Sequence, residues 1–126
     1  KTLNGEHGYL ATVTSAAENQ FIVDKFGSFS GWIGASDAAQ EGTWKWVTGP
    51  EAGTIFQVGN TGNVASSPGY SNWLPDQPDN GSQEDNYAAF WNTSQWNDFY
   101  INGDNIVNNY TLLDHLHNCH YYFYHK

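Results

Sequence analysis

Between residues 49 and 83 a glycine or proline recurs every few positions, and this stretch constrains the fold more than any other. Pro50, Gly53, Gly59, Gly62, Pro68, Gly69, Pro75, Pro78 and Gly81, set among Asn, Ser and Asp, interrupt any helix or long strand. The stretch reads as one very long loop. Loops of more than about 12–15 residues without structure of their own are uncommon in compact domains and are usually functional or disordered. Ile55, Phe56, Tyr70 and Trp73 are apolar anchors that could pin it to a body, and its far end is crowded with side-chain oxygens. A functional loop is the reading these two features favour, and the regular elements must flank it.

Upstream, residues 9–13 read as a short strand, and Ser15-Ala16-Ala17-Glu18 forms a capping box that starts a helix. Helical spacing sets Ala16, Ala17, Phe21, Ile22 and Phe26 on an apolar stripe, turns Glu18, Asn19, Asp24 and Lys25 to water, and lets Gly27 end the run. The period then changes. Gly31-Trp32-Ile33-Gly34-Ala35 reads as a buried strand, and Thr43-Trp44-Lys45-Trp46-Val47 alternates as a half-buried one, with Glu41-Gly42 as a turn between them. Downstream of the loop, residues 87–91 and 95–99 make a hairpin around Asn92-Thr93-Ser94, which brings Asn97 and Asp98 back towards the loop. Trp32, Trp44, Trp46 and Trp96 are expected in the core, while Trp73 and Trp91 stay open as surfaces for a ligand. Residues 100–126 differ in composition, and a loop followed by an aromatic strand is expected there. A chain of 126 residues without repeats supports one core, so residues 1–126 read as a single domain.

The chemistry collects at the end of the loop. Gln77, Asp79, Glu84, Asn97 and Asp98 all end in carbonyl or carboxylate oxygens, the hard ligands that Ca²⁺ takes in sets of about six to eight. An EF-hand is excluded, because counting back from Gly81 puts Pro78 at a ligand position and Tyr87 where the closing Glu belongs. The formal net charge of −9 argues against nucleic acid and anionic membrane. No apolar run approaches the roughly 20 residues of a bilayer-crossing helix. The single cysteine, Cys119, allows no disulfide framework within the chain. His115, His117, Cys119 and His120 have chemistry suited to zinc or copper, against which stands a tail that is simply rich in histidine. No nucleophile elbow, phosphate loop or paired-His motif is present, so an enzyme is not expected.

In order along the chain, Gly8-Tyr9-Leu10-Ala11-Thr12-Val13-Thr14-Ser15 with Glu18-Asn19, Trp32-Ile33-Gly34, Glu41-Gly42-Thr43-Trp44-Lys45-Trp46, Tyr70-Ser71-Asn72-Trp73, Gln77-Pro78-Asp79, Glu84-Asp85 and Trp96-Asn97-Asp98 resemble the C-type lectin-like domain family. The resemblance covers about residues 7–99. It implies an α+β fold with two small antiparallel sheets, a helix and a long calcium-binding loop. Only six residues precede His7, so it also implies a fold missing the family's first strand and helix, with an atypical C-terminal segment at 100–126. It places Ca²⁺ between Gln77, Asp79, Glu84, Asn97 and Asp98, with a cis bond at Gln77-Pro78. Pro78 and Trp96 have structural roles. The implied function is non-catalytic, calcium-dependent binding of glycans or glycoproteins by an extracellular domain, as part of an oligomer or a larger multidomain parent. The amide-Pro-acid order resembles sites for galactose or N-acetylgalactosamine. The aromatic that usually follows such a motif is absent from Asn80-Gly81-Ser82-Gln83, which leaves Trp73 or Trp91 to supply an apolar sugar contact. The alternative is a protein-interaction or adhesion module on the same fold, in which calcium only stiffens the loop.

Overall fold

The computed structural model describes residues 10–26, 30–81, 85–91 and 94–100, with the backbone of 2–3 and 6–7. Its elements are β1 (Thr2–Leu3), β2 (Glu6–His7), α1 (Ala16–Phe26), β3 (Ser30–Ser36), β4 (Thr43–Trp46), β5 (Ile55–Val58), β6 (Asp85–Trp91) and β7 (Trp96–Tyr100). The first two strands pair as a small antiparallel sheet, and the others form a five-stranded sheet in the order β5-β4-β3-β6-β7. Every pair in the larger sheet is antiparallel. This is the α+β architecture expected from the sequence. The His- and Cys-bearing segment lies outside the described residues, as do Glu84 and Gly27. Among the described residues no helix is long and apolar enough to cross a membrane.

Local chemistry explains where α1 begins. The Glu18 amide donates to Ser15 Oγ at 3.1 Å, so Ser15 caps the first turn. Glu18 Oε1 in return accepts from the backbone and hydroxyl of Thr14, one residue further back than in a standard capping box. The face turned to the core differs from the expected stripe. Ala16, Ala17 and Phe21 are exposed, whereas Asn19 and Ile22 are buried and Val23 packs at the core's edge. Alanine loses little by facing water, and Asn19 finds partners inside, so tertiary contacts overrode the apolar spacing.

Residues 10–14 are not a strand. They run beside the sheet on single bonds, with Gly34 N donating to Ala11 O at 2.7 Å and Thr48 Oγ1 to Leu10 O at 2.8 Å. That approach needs a glycine, since a Cβ on Gly34 would sit 1.9 Å from Thr48 Oγ1.

The alternation expected for β4 is present, with Trp44 and Trp46 fully buried. The long loop is shorter than its composition suggests, because Ile55–Val58 pairs with β4 as an edge strand. Phe56 and Gln57 turn inward from it, while Ile55, expected as an anchor, is 42% exposed. Phe56 stacks on Trp46 at 4.7 Å between centroids, and Trp73 meets Trp44 at 4.9 Å and Trp96 at 5.6 Å. Such pairs add about 0.5–1.5 kcal/mol each beyond their buried area. Trp32, expected in the core, is only half-buried. It lies on the opposite face of the sheet, edge-on to Phe99 at 5.8 Å.

Candidate functional site

The β6-β7 register pairs Ala89 with Asn97 and Ala88 with Asp98. Strand alternation puts Trp96 and Asp98 on the buried face and leaves Asn97 and Phe99 on the other. The loop is stitched to the start of β7. Trp96 N donates to Asn72 O at 2.9 Å, and Leu74 N to Trp96 O at 2.7 Å. Gln77 N then donates to Leu74 O at 3.0 Å, and the Gln77-Pro78 bond is cis, as the family resemblance implied. Asp76 and Asn80 both take positive φ, at 66° and 54°, the left-handed conformation that Asp and Asn tolerate better than other non-glycine residues.

These turns bring the loop backbone onto Asp98. Its Oδ2 accepts from Asn80 N at 2.8 Å and its Oδ1 from Asp79 N at 3.3 Å. Gln77 Oε1 accepts from Asp79 N at 3.1 Å, Asn97 Oδ1 from Asp98 N at 2.9 Å, and Asp79 Oδ1 from Gly81 N at 3.0 Å. One carboxylate oxygen from each of Asp79, Asp85 and Asp98 lies within 4.8 Å of the other two. Gly81 keeps this corner open, since a Cβ there would stand 3.3 Å from Asp79 Oδ1 and 3.5 Å from Asp85 Oδ2.

The electrostatics are unfavourable to bare charge. Burial pushes the Asp98 carboxyl above its ordinary range, amide bonds from Asn80, Asp79 and its own N–H pull it down, and the Asp79 charge pushes it up again. Asp37, just after β3, is 1% exposed and raised to about 7, first by burial, then by the Glu41 carboxyl, which is close enough to share a proton with it, and last by the charges of Glu41 and Asp98, against one amide bond from Gly42. Its Oδ1 is buried and has no hydrogen-bond partner among the described residues. The three carboxylate oxygens of Asp79, Asp85 and Asp98, held this close, fit a hard divalent cation.

Of the residues expected at the site, Asp79 and Asp98 meet in the acidic cluster, and Gln77 and Asn97 are tied into the same backbone network. Glu84 is outside the described residues. Trp91 stands outside the acidic cluster, on the sheet face it shares with Asn97. Phe90 beside it is buried on the core side, so Trp91 points to the opposite face, 51% exposed and against Phe99 at 5.0 Å. Trp73 is partly buried in the aromatic core, with its indole N–H on Gln57 Oε1 at 3.1 Å. Sequence reasoning missed Asp85 as a member of the cluster. Asp85 follows Glu84 directly, whereas the burial of Asp37 and its coupling to Glu41 and Asp98 appear only in the fold.

The chain is similar to known proteins in both sequence and fold. The sequence profile of the Lectin C-type domain matches residues 4–111. Halomucin from Haloquadratum walsbyi is 45% identical over 75% of this chain, and mouse asialoglycoprotein receptor 1 is 37% identical over 74% of it. The chain spans only 1% and 29% of those proteins' lengths. Among solved structures, the cow CD23 C-type carbohydrate-recognition domain, crystallised in the presence of a GlcNAc2Man3 oligosaccharide, superposes with a TM-score of 0.56 at 26% identity. That match covers 75% of this chain and 60% of the CD23 chain.

Proposed function

Because this chain belongs to the C-type lectin domain family, we propose that it is a calcium-dependent carbohydrate-binding domain and not an enzyme. Gln77, Asp79, Glu84, Asn97 and Asp98 would hold the ion, with Asp85 added to the set. The observation that carries this reading is the convergence of Asp79, Asp85 and Asp98 within 4.8 Å at the end of the loop. Bound there, calcium would neutralise the carboxylates and offer open coordination positions to two adjacent sugar hydroxyls.

The side chains supply the rest of the recognition. An amide that lends its oxygen keeps an NH₂, so Gln77 and Asn97 donate to sugar oxygens, and a carboxylate that lends one oxygen accepts with the other, so Asp79 and Glu84 accept from hydroxyls. Carboxylates held ionised in this way have no proton to give, which removes the general acid that glycoside hydrolysis needs.

The amide-Pro-acid order of Gln77-Pro78-Asp79 supports galactose or N-acetylgalactosamine over mannose. The kinship with an asialoglycoprotein receptor and with a carbohydrate-recognition domain supports glycans or glycoproteins as partners. Membership of the family supports an extracellular setting. One exposed site binds a glycan weakly, so repetition in an oligomer or multidomain parent would supply avidity.

Tryptophan fluorescence melts in EDTA, in excess calcium, and in calcium with galactose or with mannose test the proposal. At 100 times its dissociation constant calcium adds about 2.7 kcal/mol, and galactose adds a further, smaller rise only when calcium is present. A cooperative melt that calcium does not move sinks the metal assignment. A further rise with mannose instead of galactose keeps the metal and overturns the sugar.

A further inference from the structure

The Ser94 carbonyl accepts from two carboxamides at once, Asn19 Nδ2 at 2.9 Å and Asn72 Nδ2 at 2.7 Å. Asn19 comes from helix α1 and Asn72 from the long loop. The other end of the Asn19 amide, Oδ1, accepts the Trp96 indole N–H at 2.9 Å, a bond that is itself buried. Asn19 is only 4% exposed. On the loop side, Gln95 Nε2 donates to Trp73 O at 3.1 Å, alongside the two backbone bonds between Trp96 and residues 72 and 74. Residues 94–96 are therefore tied to the helix on one side and to the loop on the other.

The position of this knot gives it a role beyond packing. Asn97 and Asp98 follow it directly in β7, while on the loop the bond from Gln77 N to Leu74 O carries the same anchorage to Gln77 and Asp79. Both halves of the oxygen set thus hang from residues 94–96. Only an amide can serve at position 19 as the geometry stands, because it must donate to a carbonyl and accept from an indole N–H at the same time. A carboxylate would face the Ser94 carbonyl with a second acceptor, and an apolar side chain would leave the buried indole N–H without a partner.

We propose that Asn19 is a positioning residue of the calcium site. By bridging the Ser94 carbonyl and the Trp96 indole, it sets where β7 presents Asn97 and Asp98 to the Gln77-Pro78-Asp79 turn. The proposal rests on the calcium reading above and assigns to a helix residue that touches no ligand a share of the metal affinity.

Calcium titrations of wild type and of Asn19→Ala, followed by calorimetry at a temperature where circular dichroism shows both folded, test it. Groups bonded directly to metal ligands cost about 10–100-fold in affinity when removed; Asn19 acts one step further out, through residues 94 and 96, and Asn19→Ala is expected to weaken calcium binding several-fold. A sample at least nine-tenths folded loses only about 1.1-fold through unfolding, so a loss of that size cannot come from stability alone. Ile22→Val, in the same helix and the same core but without a bond to β7, is expected to keep wild-type affinity. Should Asn19→Ala not fold, Asn72→Ala removes the other donor to Ser94 from a half-exposed position, with a smaller loss expected in the same direction. Unchanged affinity in folded Asn19→Ala, or in Asn72→Ala where it takes that variant's place, overturns the proposal. A wild type that binds no calcium is a separate outcome, overturning the calcium reading and this proposal with it.

Discussion

The two ends of the long loop are held by opposite kinds of force. At its base, Phe56 and Trp73 sit among Trp44, Trp46 and Trp96 in ring contacts between 4.7 and 6.4 Å. At its tip, residues 77–81 are held by backbone amides pointing at Asp98 and Asp79, beside a third carboxylate from Asp85. Apolar burial is indifferent to pH and metal, whereas the tip concentrates negative charge that its own amides offset only in part. The base can therefore be rigid in the metal-free protein while the tip depends on what neutralises it. A loop of this composition is affordable in a small domain because its cost of ordering is met at the base.

Breaking the base should do the most damage. Trp96 is fully buried, touches five aromatic rings and bonds Asn19, and Trp96→Ala is expected to cost at least about 3–5 kcal/mol in urea denaturation. Calcium binding should vanish along with the fold. Asp98→Asn sharpens the contrast. The fold should survive in EDTA, because the single amide oxygen can still accept the shorter bond from Asn80 N and only the 3.3 Å bond from Asp79 N is given up, but the stabilisation of about 2.7 kcal/mol by saturating calcium should be lost in the melt.

A pH series on the metal-free protein separates the two ends further. Asp37 rises from 3.8 to about 7 on folding and Asp98 rises as well, so the folded state binds more protons than the unfolded state between these values. The Asp37 contribution is complete below about pH 4 and is lost as pH climbs through about 7, and Asp98 acts in the same direction, so stability in EDTA should fall from pH 5 to pH 7.5. Calcium should flatten or reverse that slope, since an ion beside Asp98 favours the charged forms. A metal-free melt that rises steadily over this interval would show that the acidic corner is not strained by its charge. The smallest effect is expected from Trp91→Ala. Trp91 lies on the face away from Asp98, and its loss should change stability by less than about 1 kcal/mol and leave calcium and sugar titrations as they were. Loss of sugar binding with calcium binding intact would return Trp91 to the ligand site.

Local patterns were legible wherever a short-range rule had no competitor. The Ser15 cap, the alternation of Trp44 and Trp46, and the hairpin that returns Asn97 and Asp98 to the loop all follow from spacings of two to four residues. The helix face was not legible, because Ala16 and Ala17 count as apolar in a pattern yet lose little in water, while Asn19 counts as polar yet is satisfied inside. Strand β5 was hidden for a related reason. The five residues between Gly53 and Gly59 carry almost no period, and only pairing with β4 makes Ile55–Val58 a strand.

The sequence by itself determined which groups were available: a set of hard oxygens at 77–85 and 97–98, a cis-competent Gln77-Pro78 pair, and enough tryptophan to anchor a long irregular loop. Tertiary structure alone decided which of those groups share one corner, that Asp37 is buried with an oxygen unpartnered among the described residues, and that Asn19 joins helix, loop and strand. The physical reason is range. Capping, alternation and ligand type are properties of neighbours along the chain, whereas burial and charge proximity depend on residues as far apart as 19 and 96, which only the folded chain brings within 3 Å.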